Sequence, residues 1–289
     1  MNNIIISLIY LITSCLMLVL GRNLYLKLIK YDMQKEIQNE NYTAIVPYCG
    51  YLIGCTAILA GAFVGPDSQS VFYKEYLYYV GYGILGICLM LFAGKIAERA
   101  ILYKFNNTDE IVRDRNLGAA AVHCGIYLAA GFIISGCVTG DTLLTHGKGY
   151  GLISTLIYYI LGMAFLIIFS KLHDKLTPYP LLEEIENDNS AVGISFGGHI
   201  AAIGIILMKA SIGDIGTLSH GIATYLLDLS AIVLLFPCVR LFLDKIIVRN
   251  INIAKEVRSN NIAAGIGEAA TIIAFAILIF FMVDFVGIV

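Results

Sequence analysis

Six polar residues inside apolar segments are the first candidates for chemistry in this sequence of 289 residues. Each lies seven or ten residues after an asparagine that recurs four times. The six residues are Tyr48, Tyr51, His123, His199, Glu268 and Thr271. Positions three apart share one face of a helix, and seven residues advance about 10 Å along its axis. If the segments cluster as helices, these side chains are predicted to form one polar layer at a common depth.

A carboxyl group at that depth must be protonated, paired or hydrated, because an isolated charge is costly to bury. A pair of Glu268 with a histidine would suit proton relay or cation binding, whereas a single histidine can simply bond to a neighbouring carbonyl. The residue types that could also bind a metal are His123, Cys124, Cys49, His199 and Glu268. No ligand-spacing motif supports a metal site, so neither a metal nor a cofactor is expected. Asp228 is the other acid placed well inside an apolar segment.

The composition indicates an integral membrane protein. Hydrophobic residues make up 58% and charged residues 14% of the chain, and the mean hydropathy is +0.81. Soluble domains carry roughly a quarter charged residues. A net charge of −2 gives no electrostatic footprint for nucleic acid. The seven cysteines include neither a CxxC motif nor a paired framework.

The first apolar segment is expected to be a retained membrane span. The letters ITSC, which end at Cys15, fit a lipoprotein cleavage box. However, no Lys or Arg precedes them and the apolar run continues to Leu20, unlike a signal peptide. Lipidation of Cys15 is therefore not expected.

Eight apolar runs approach the length of roughly 17–25 residues that a membrane helix needs. They are 4–21, 44–65, 76–94, 117–138, 150–170, 190–208, 221–243 and 262–283. Sixteen of the nineteen Lys and Arg residues lie in the four alternate loops 22–43, 95–116, 171–189 and 244–261, counted with the span ends that enter them. The positive-inside rule predicts that these charged loops are cytoplasmic and that both termini lie on the other side of a bacterial inner membrane.

The recurring asparagine marks an internal repeat. The four copies are Asn41, Asn116, Asn189 and Asn261, with spacings of 75, 73 and 72 residues. Each stands where the chain leaves water and enters the bilayer, which favours a role as helix N-cap. The helix that follows is rich in Gly and Ala, so these even-numbered spans are predicted to form an inner layer. Because each unit has two spans, the repeats insert in parallel and are not inverted.

The doubled four-span unit, with N-x-A opening a Gly/Ala-rich helix as in NSAVGISFGGHIAAIGIILMKAS, resembles the YjfL-like bacterial inner-membrane proteins. That family is a transmembrane domain of unknown function, here expected twice, over 1–140 and 141–289. The resemblance implies fold and location and supplies no catalytic residues.

Together these patterns predict an all-α polytopic membrane protein with eight transmembrane helices, arranged as four helix-hairpin repeats in two parallel four-helix halves. We expect a channel or carrier for a small solute or ion. The alternative is a non-transporting scaffold, or a membrane-stress component that recruits a cytoplasmic partner. An enzyme is not expected, because the sequence has no nucleophile–base constellation, HExxH or phosphate loop. Expected partners are the lipid bilayer, a second copy of the chain and a cytoplasmic protein, and not nucleic acid.

The topology can be tested with reporter fusions. Fusions after Lys35, Arg113, Lys175 and Lys255 should all report the cytoplasm, because each lies within a charged loop. A fusion at the C-terminus should report the opposite side. A cytoplasmic C-terminus would show that a span was miscounted, and the parallel-repeat argument would then be wrong.

Overall fold

The computed structural model describes residues 3–64, 72–104, 106–139, 150–212, 222–223, 225–227 and 252–282. Its regular structure within these ranges is helical. The helices are α1 (Asn3–Leu28), α2 (Met33–Gln38), α3 (Tyr42–Val64), α4 (Phe72–Ile101), α5 (Asn107–Val112), α6 (Leu117–Val138), α7 (Tyr150–Leu176), α8 (Leu181–Glu186), α9 (Ser190–Ser211), α10 (Ile253–Arg258) and α11 (Ile262–Met282).

Seven of the described helices are long and apolar enough to cross a membrane: α1, α3, α4, α6, α7, α9 and α11. The predicted run 221–243 lies outside the described residues except at 222–223 and 225–227, and Asp228 lies outside them too. A count of eight spans in four hairpins therefore stays a prediction. An all-helical chain with seven candidate membrane spans is what the structure establishes.

Helices α1 and α4, the first and third spans, are longer than their apolar runs. Helix α1 ends at residue 28 instead of the predicted 21, and α4 ends at residue 101 instead of 94. Lys and Arg are good helix formers and interact favourably with the carboxyl end of a helix. Lys27 and Arg99 lie in these added turns. The predicted charged loops are therefore partly helix.

The inner layer is a row of four helices. Helices α3, α6, α9 and α11 pack side by side in that order, each against the next. In the outer layer, α4 contacts both α3 and α6, and α7 contacts both α6 and α9. In the most apolar window, 89% of the residues of α9 are buried but only 22% of those of α11, which ends the row.

Glycines allow the inner helices to approach until their backbones touch. A Cβ atom added to Gly193 would collide with the backbone of Gly118, and one added to Gly131 would collide with that of Gly54. Lipid gives helices little hydrophobic reason to associate, so close van der Waals contact of this kind supplies much of the attraction.

A short linker helix precedes each inner helix, namely α2, α5, α8 and α10. Between linker and inner helix lies one residue in the left-handed region, with φ of 54–61°. These residues are Glu40, Arg115, Asp188 and Asn260. A left-handed residue after the last turn is a common way to stop a helix. The same turn therefore brings each recurring asparagine to the start of its inner helix.

Asn116 shows what the asparagine does. Its Oδ1 accepts a hydrogen bond from the backbone N–H of Ala119 at 2.9 Å and so caps α6. Its Nδ2 donates to Glu110 Oε2 at 2.8 Å and to the carbonyl oxygen of Ile185 at 2.6 Å. Burial raises the pKa of Glu110, and the bond from Asn116 opposes that shift. The asparagine thus joins its own linker helix, its inner helix and the linker helix of the next repeat.

The same connection recurs along the row. Asn189 Nδ2 donates to the carbonyl oxygen of Arg258 at 2.9 Å, and Asn41 Nδ2 donates to that of Val112 at 3.3 Å. Asn189 also caps its helix, whereas the Asn41 side chain accepts from the hydroxyl of Thr43. Three asparagines therefore link four successive repeats.

Two glycine substitutions should separate packing from helix propensity. Gly193→Ala should lower the free energy of unfolding by about 1–3 kcal/mol, because its Cβ meets the backbone of Gly118. Gly267→Ala is the matched control, because a Cβ there meets no atom of the described residues within 4 Å. Its stability should be unchanged or slightly raised, as glycine is a poor helix former. Unfolding in mixed detergent micelles measures both, and equal losses would contradict the packing account.

Candidate functional site

A cavity of about 400 Å³ opens on the side of the charged loops, among α1, α3, α4, α5 and α6. Its lining combines basic, acidic and aromatic side chains. The polar and aromatic members include Tyr25, Lys30, Tyr31, Lys95, Glu98, Arg99, His123 and Tyr127. Such a mixture suits a polar ligand better than a lipid tail.

His123 and Glu98 are the acid–base groups of the cavity. His123 is 5% exposed, and its Nε2 lies 3.6 Å from Glu98 Oε1. That nitrogen has no hydrogen-bond partner among the described residues. A buried imidazole nitrogen normally has a partner. Protonation of His123 would turn this contact into an ion pair, so the pair can hold a proton at the wall of the cavity.

Tyrosines from α1, α3 and α6 form an aromatic cluster beside the cavity. The ring of Tyr25 lies 4.6 Å from that of Tyr51 and 5.4 Å from that of Tyr48, between centroids. Tyr127 lies 5.8 Å from Tyr25. The Tyr51 hydroxyl donates to the carbonyl oxygen of Gly21 at 3.0 Å. These contacts hold the outer helix α1 against the inner row.

Tyr31, in the turn between α1 and α2, also lines the cavity. Its hydroxyl donates to the carbonyl oxygen of Ala44 at 3.0 Å. Burial raises the pKa of Tyr31 to about 12, so the hydroxyl stays protonated at neutral pH.

A second polar cluster lies between α7, α9 and α11. Ser195 Oγ donates to Glu268 Oε2 at 2.7 Å, and His199 Nδ1 lies 2.8 Å from the carbonyl oxygen of Ser195. The ring of His173, on the outer helix α7, lies 4.5 Å from that of His199. Glu268 is thus partnered by a hydroxyl, which is one way of satisfying a carboxyl group inside a membrane.

The two clusters are related by the repeat. Tyr25 and His173 each stand sixteen residues before their asparagine, and each packs on the residue ten positions after it, at 4.6 and 4.5 Å. His123 and Glu268 likewise share position seven, in the second and fourth repeats. The two halves therefore hold the same arrangement with different titratable groups.

The described contacts join the predicted residues into two groups rather than one layer. Tyr48 and Tyr51 belong with the cavity that His123 lines, and His199 belongs with Glu268. Thr271 donates to the carbonyl oxygen of Gly267 in its own helix and contributes to neither group.

Sequence reasoning missed Glu98, Tyr25 and His173, all on outer helices. Glu98 was assigned to a charged loop because the apolar run ends at 94, whereas α4 continues past it. Tyr25 and His173 could have been found by extending the repeat alignment upstream of the asparagine.

Comparison with known proteins identifies the repeat as a family domain. DUF350, a Domain of Unknown Function, matches residues 1–138 and again residues 149–283. The chain belongs to the DUF350 family. A UPF0719 transmembrane protein of Aquifex aeolicus (strain VF5) is 25% identical over 249 residues, which cover 85% of this chain and 88% of that protein. No solved structure matches.

These matches confirm a duplicated domain in a multi-pass transmembrane protein, as the resemblance implied. They also place one polar cluster in each DUF350 domain. The His123 cavity lies within residues 1–138, and the cluster of Ser195 and Glu268 lies within residues 149–283.

Proposed function

We propose that this DUF350 protein is a carrier in a bacterial inner membrane that moves a small anion together with a proton. In this proposal the charged loops face the cytoplasm and both termini lie outside. The observation that carries the proposal is His123 Nε2, which is buried at the wall of the cavity, 3.6 Å from Glu98 Oε1, with no hydrogen bond among the described residues. The solute enters that cavity from the cytoplasmic side.

The charge of the lining favours an anion. Lys30, Lys95 and Arg99 line the cavity, against the single carboxylate of Glu98. A proton on His123 adds a further positive charge next to the solute. Binding of the anion and protonation of His123 then reinforce each other, because each supplies the charge that the other lacks.

Packing beyond the cavity favours a carrier over an open channel. Further along α6, Ile126, Ile133 and Ile134 are fully buried against neighbouring helices. Passage of a solute to the other side would therefore need movement of the outer helices against the inner row. We place Glu268 and His199 in the corresponding pathway of the second domain, and we propose no enzymatic activity.

The second candidate is a non-transporting scaffold that recruits a cytoplasmic partner. The feature that favours it is the row of backbone contacts, which leaves no room for a solute between adjacent inner helices. Ion pairs also brace the charged face, such as Lys104 with Glu183 at 2.9 Å and Arg258 with Glu184 at 3.4 Å. A braced surface of this kind would suit protein docking.

Proton flux into liposomes separates the two candidates. Purified protein is reconstituted with the pH dye pyranine inside, and chloride, phosphate or succinate is supplied outside. The carrier should acidify the interior with at least one of these anions, faster than protein-free liposomes. Glu98→Gln and His123→Gln should reduce the rate to that of protein-free liposomes, because neither can exchange the proton.

Glu183→Gln is the matched control, because its carboxylate pairs with Lys104 on the surface and does not line the cavity. It should transport at the rate of the unchanged protein. Acidification that equals protein-free liposomes with every anion would refute the carrier and favour the scaffold. Equal rates for the unchanged protein and Glu98→Gln would remove the pair from the mechanism.

A further inference from the structure

The inner helices contact one another through two faces that recur in every repeat. We call the residues 2, 9 and 13 positions after the asparagine the leading face, and those at 4, 8 and 15 positions the trailing face. The leading face of each inner helix packs on the trailing face of the next. Gly118 and Gly193 show this at positions 2 and 4, and Gly54 and Gly131 show it at positions 13 and 15.

The contact between positions 9 and 8 occurs at all three interfaces of the row. The pairs are Gly50 with Cys124, Gly125 with Gly197, and Gly198 with Ala269. The three interfaces are thus copies of one another, and together they use three leading and three trailing faces. One face of each kind is left over, at opposite ends of the same chain.

Both remaining faces are accessible. On α11 the leading face consists of Ala263, Ala270 and Ala274, all exposed. On α3 the trailing face consists of Ile45, Cys49 and Thr56, of which Cys49 and Thr56 are exposed and Ile45 is partly buried.

The hydrogen bonds of Asn261 also indicate that a neighbour is missing beside α11. Its Oδ1 accepts from Ala264 N–H, as those of Asn116 and Asn189 accept from a backbone N–H, and its Nδ2 donates to Glu256, as the other asparagines donate to a glutamate. Within the described part of the chain, it lacks the further bond that the other three asparagines make to the next linker helix. Its side chain is exposed, whereas Asn41, Asn116 and Asn189 are buried.

The outer layer is also incomplete at the α3 end. Helix α4 bridges α3 and α6, and α7 bridges α6 and α9, so these outer helices each cover two inner ones. Helix α1 packs on α3 and α4, and among the described helices no inner helix precedes α3. In the most apolar window of α1, only 11% of the residues are buried, the smallest share among the described spans.

We propose that copies of this protein assemble head to tail in the membrane, with α11 of one copy against α3 of the next. The occupant is a second copy because the two complementary halves of one interface lie at the two ends of one chain. Asn261 then bonds to the carbonyl end of the neighbour's α2, and the neighbour's α1 bridges α11 and its own α3. A head-to-tail contact closes into a ring or continues as a filament.

The intermolecular contact is wider than the internal ones. Ala274 faces Thr56 at the positions where Gly54 faces Gly131, and Ala270 faces Cys49 where Gly125 faces Gly197. The added side-chain atoms keep the two backbones further apart. The assembly should therefore dissociate before the chain unfolds.

A disulfide between residue 270 and the native Cys49 of a neighbouring copy would test the proposed interface directly. Ala270 is predicted to lie opposite Cys49 of the neighbouring copy, so Ala270→Cys should form an intermolecular disulfide. Native membranes are oxidised with copper phenanthroline, in which oxygen accepts the two electrons that the two thiols release. Covalent dimers and larger species should appear on a non-reducing gel.

Two controls accompany this variant. Ala270→Cys combined with Cys49→Ser should give no such species, which assigns the bond to Cys49. Thr271→Cys, one residue on and about 100° around the helix, should also give none. Adding Gly267→Trp to Ala270→Cys should abolish the crosslink, since a Cβ at 267 meets no described residue of its own chain within 4 Å and a bulky side chain there would obstruct a neighbour.

If Ala270→Cys crosslinks no more than Thr271→Cys, the proposed assembly is wrong. Lipid would then cover the two faces. A crosslink that survives Gly267→Trp, or that does not need Cys49, would also overturn the proposed register. The test does not depend on whether the protein transports anything.

Discussion

The inner row depends on one asparagine amide at each of its three interfaces, which bonds to the carbonyl end of the next linker helix. A backbone carbonyl at a helix end has no partner within its own helix and must be satisfied from outside. Asn116 donates to that of Ile185, which also accepts from the Asp188 N–H, while capping α6 and bonding Glu110. One side chain therefore fixes the depth of its inner helix relative to the next repeat.

Depth matters because the glycine contacts tolerate little sliding. Gly193 faces Gly118, and Gly204 faces Ala129, so each small residue meets another small residue or bare backbone. A shift of one residue would turn larger side chains into the same space. Van der Waals attraction falls off steeply with separation, so the inner helices attract each other strongly only in this register. The polar bond sets the register, and the close packing then stabilises it.

The repeat, the small-residue inner helices and the position of the recurring asparagine could all be predicted from the sequence. The division of the polar residues into two groups could not be predicted, because spacing along a helix gives the depth of a side chain but not its lateral direction. In a closed bundle, positions seven and ten would meet at the centre. In a row, position ten points toward the outer layer instead, so Tyr51 meets Tyr25 and His199 meets His173. Glu98 was missed because hydropathy marks where apolar residues end, not where the helix ends.

The most direct test of the asparagine connection compares Asn116→Ala with Asn261→Ala by unfolding in mixed micelles. Both variants lose a helix cap and a bond to a glutamate. Within the described residues only Asn116 of this pair also bonds to the next linker helix. Asn116→Ala should therefore lower the free energy of unfolding by about 0.5–1.5 kcal/mol more than Asn261→Ala, since it also loses the buried hydrogen bond to the carbonyl oxygen of Ile185. Equal losses would contradict the account that these bonds hold the row together.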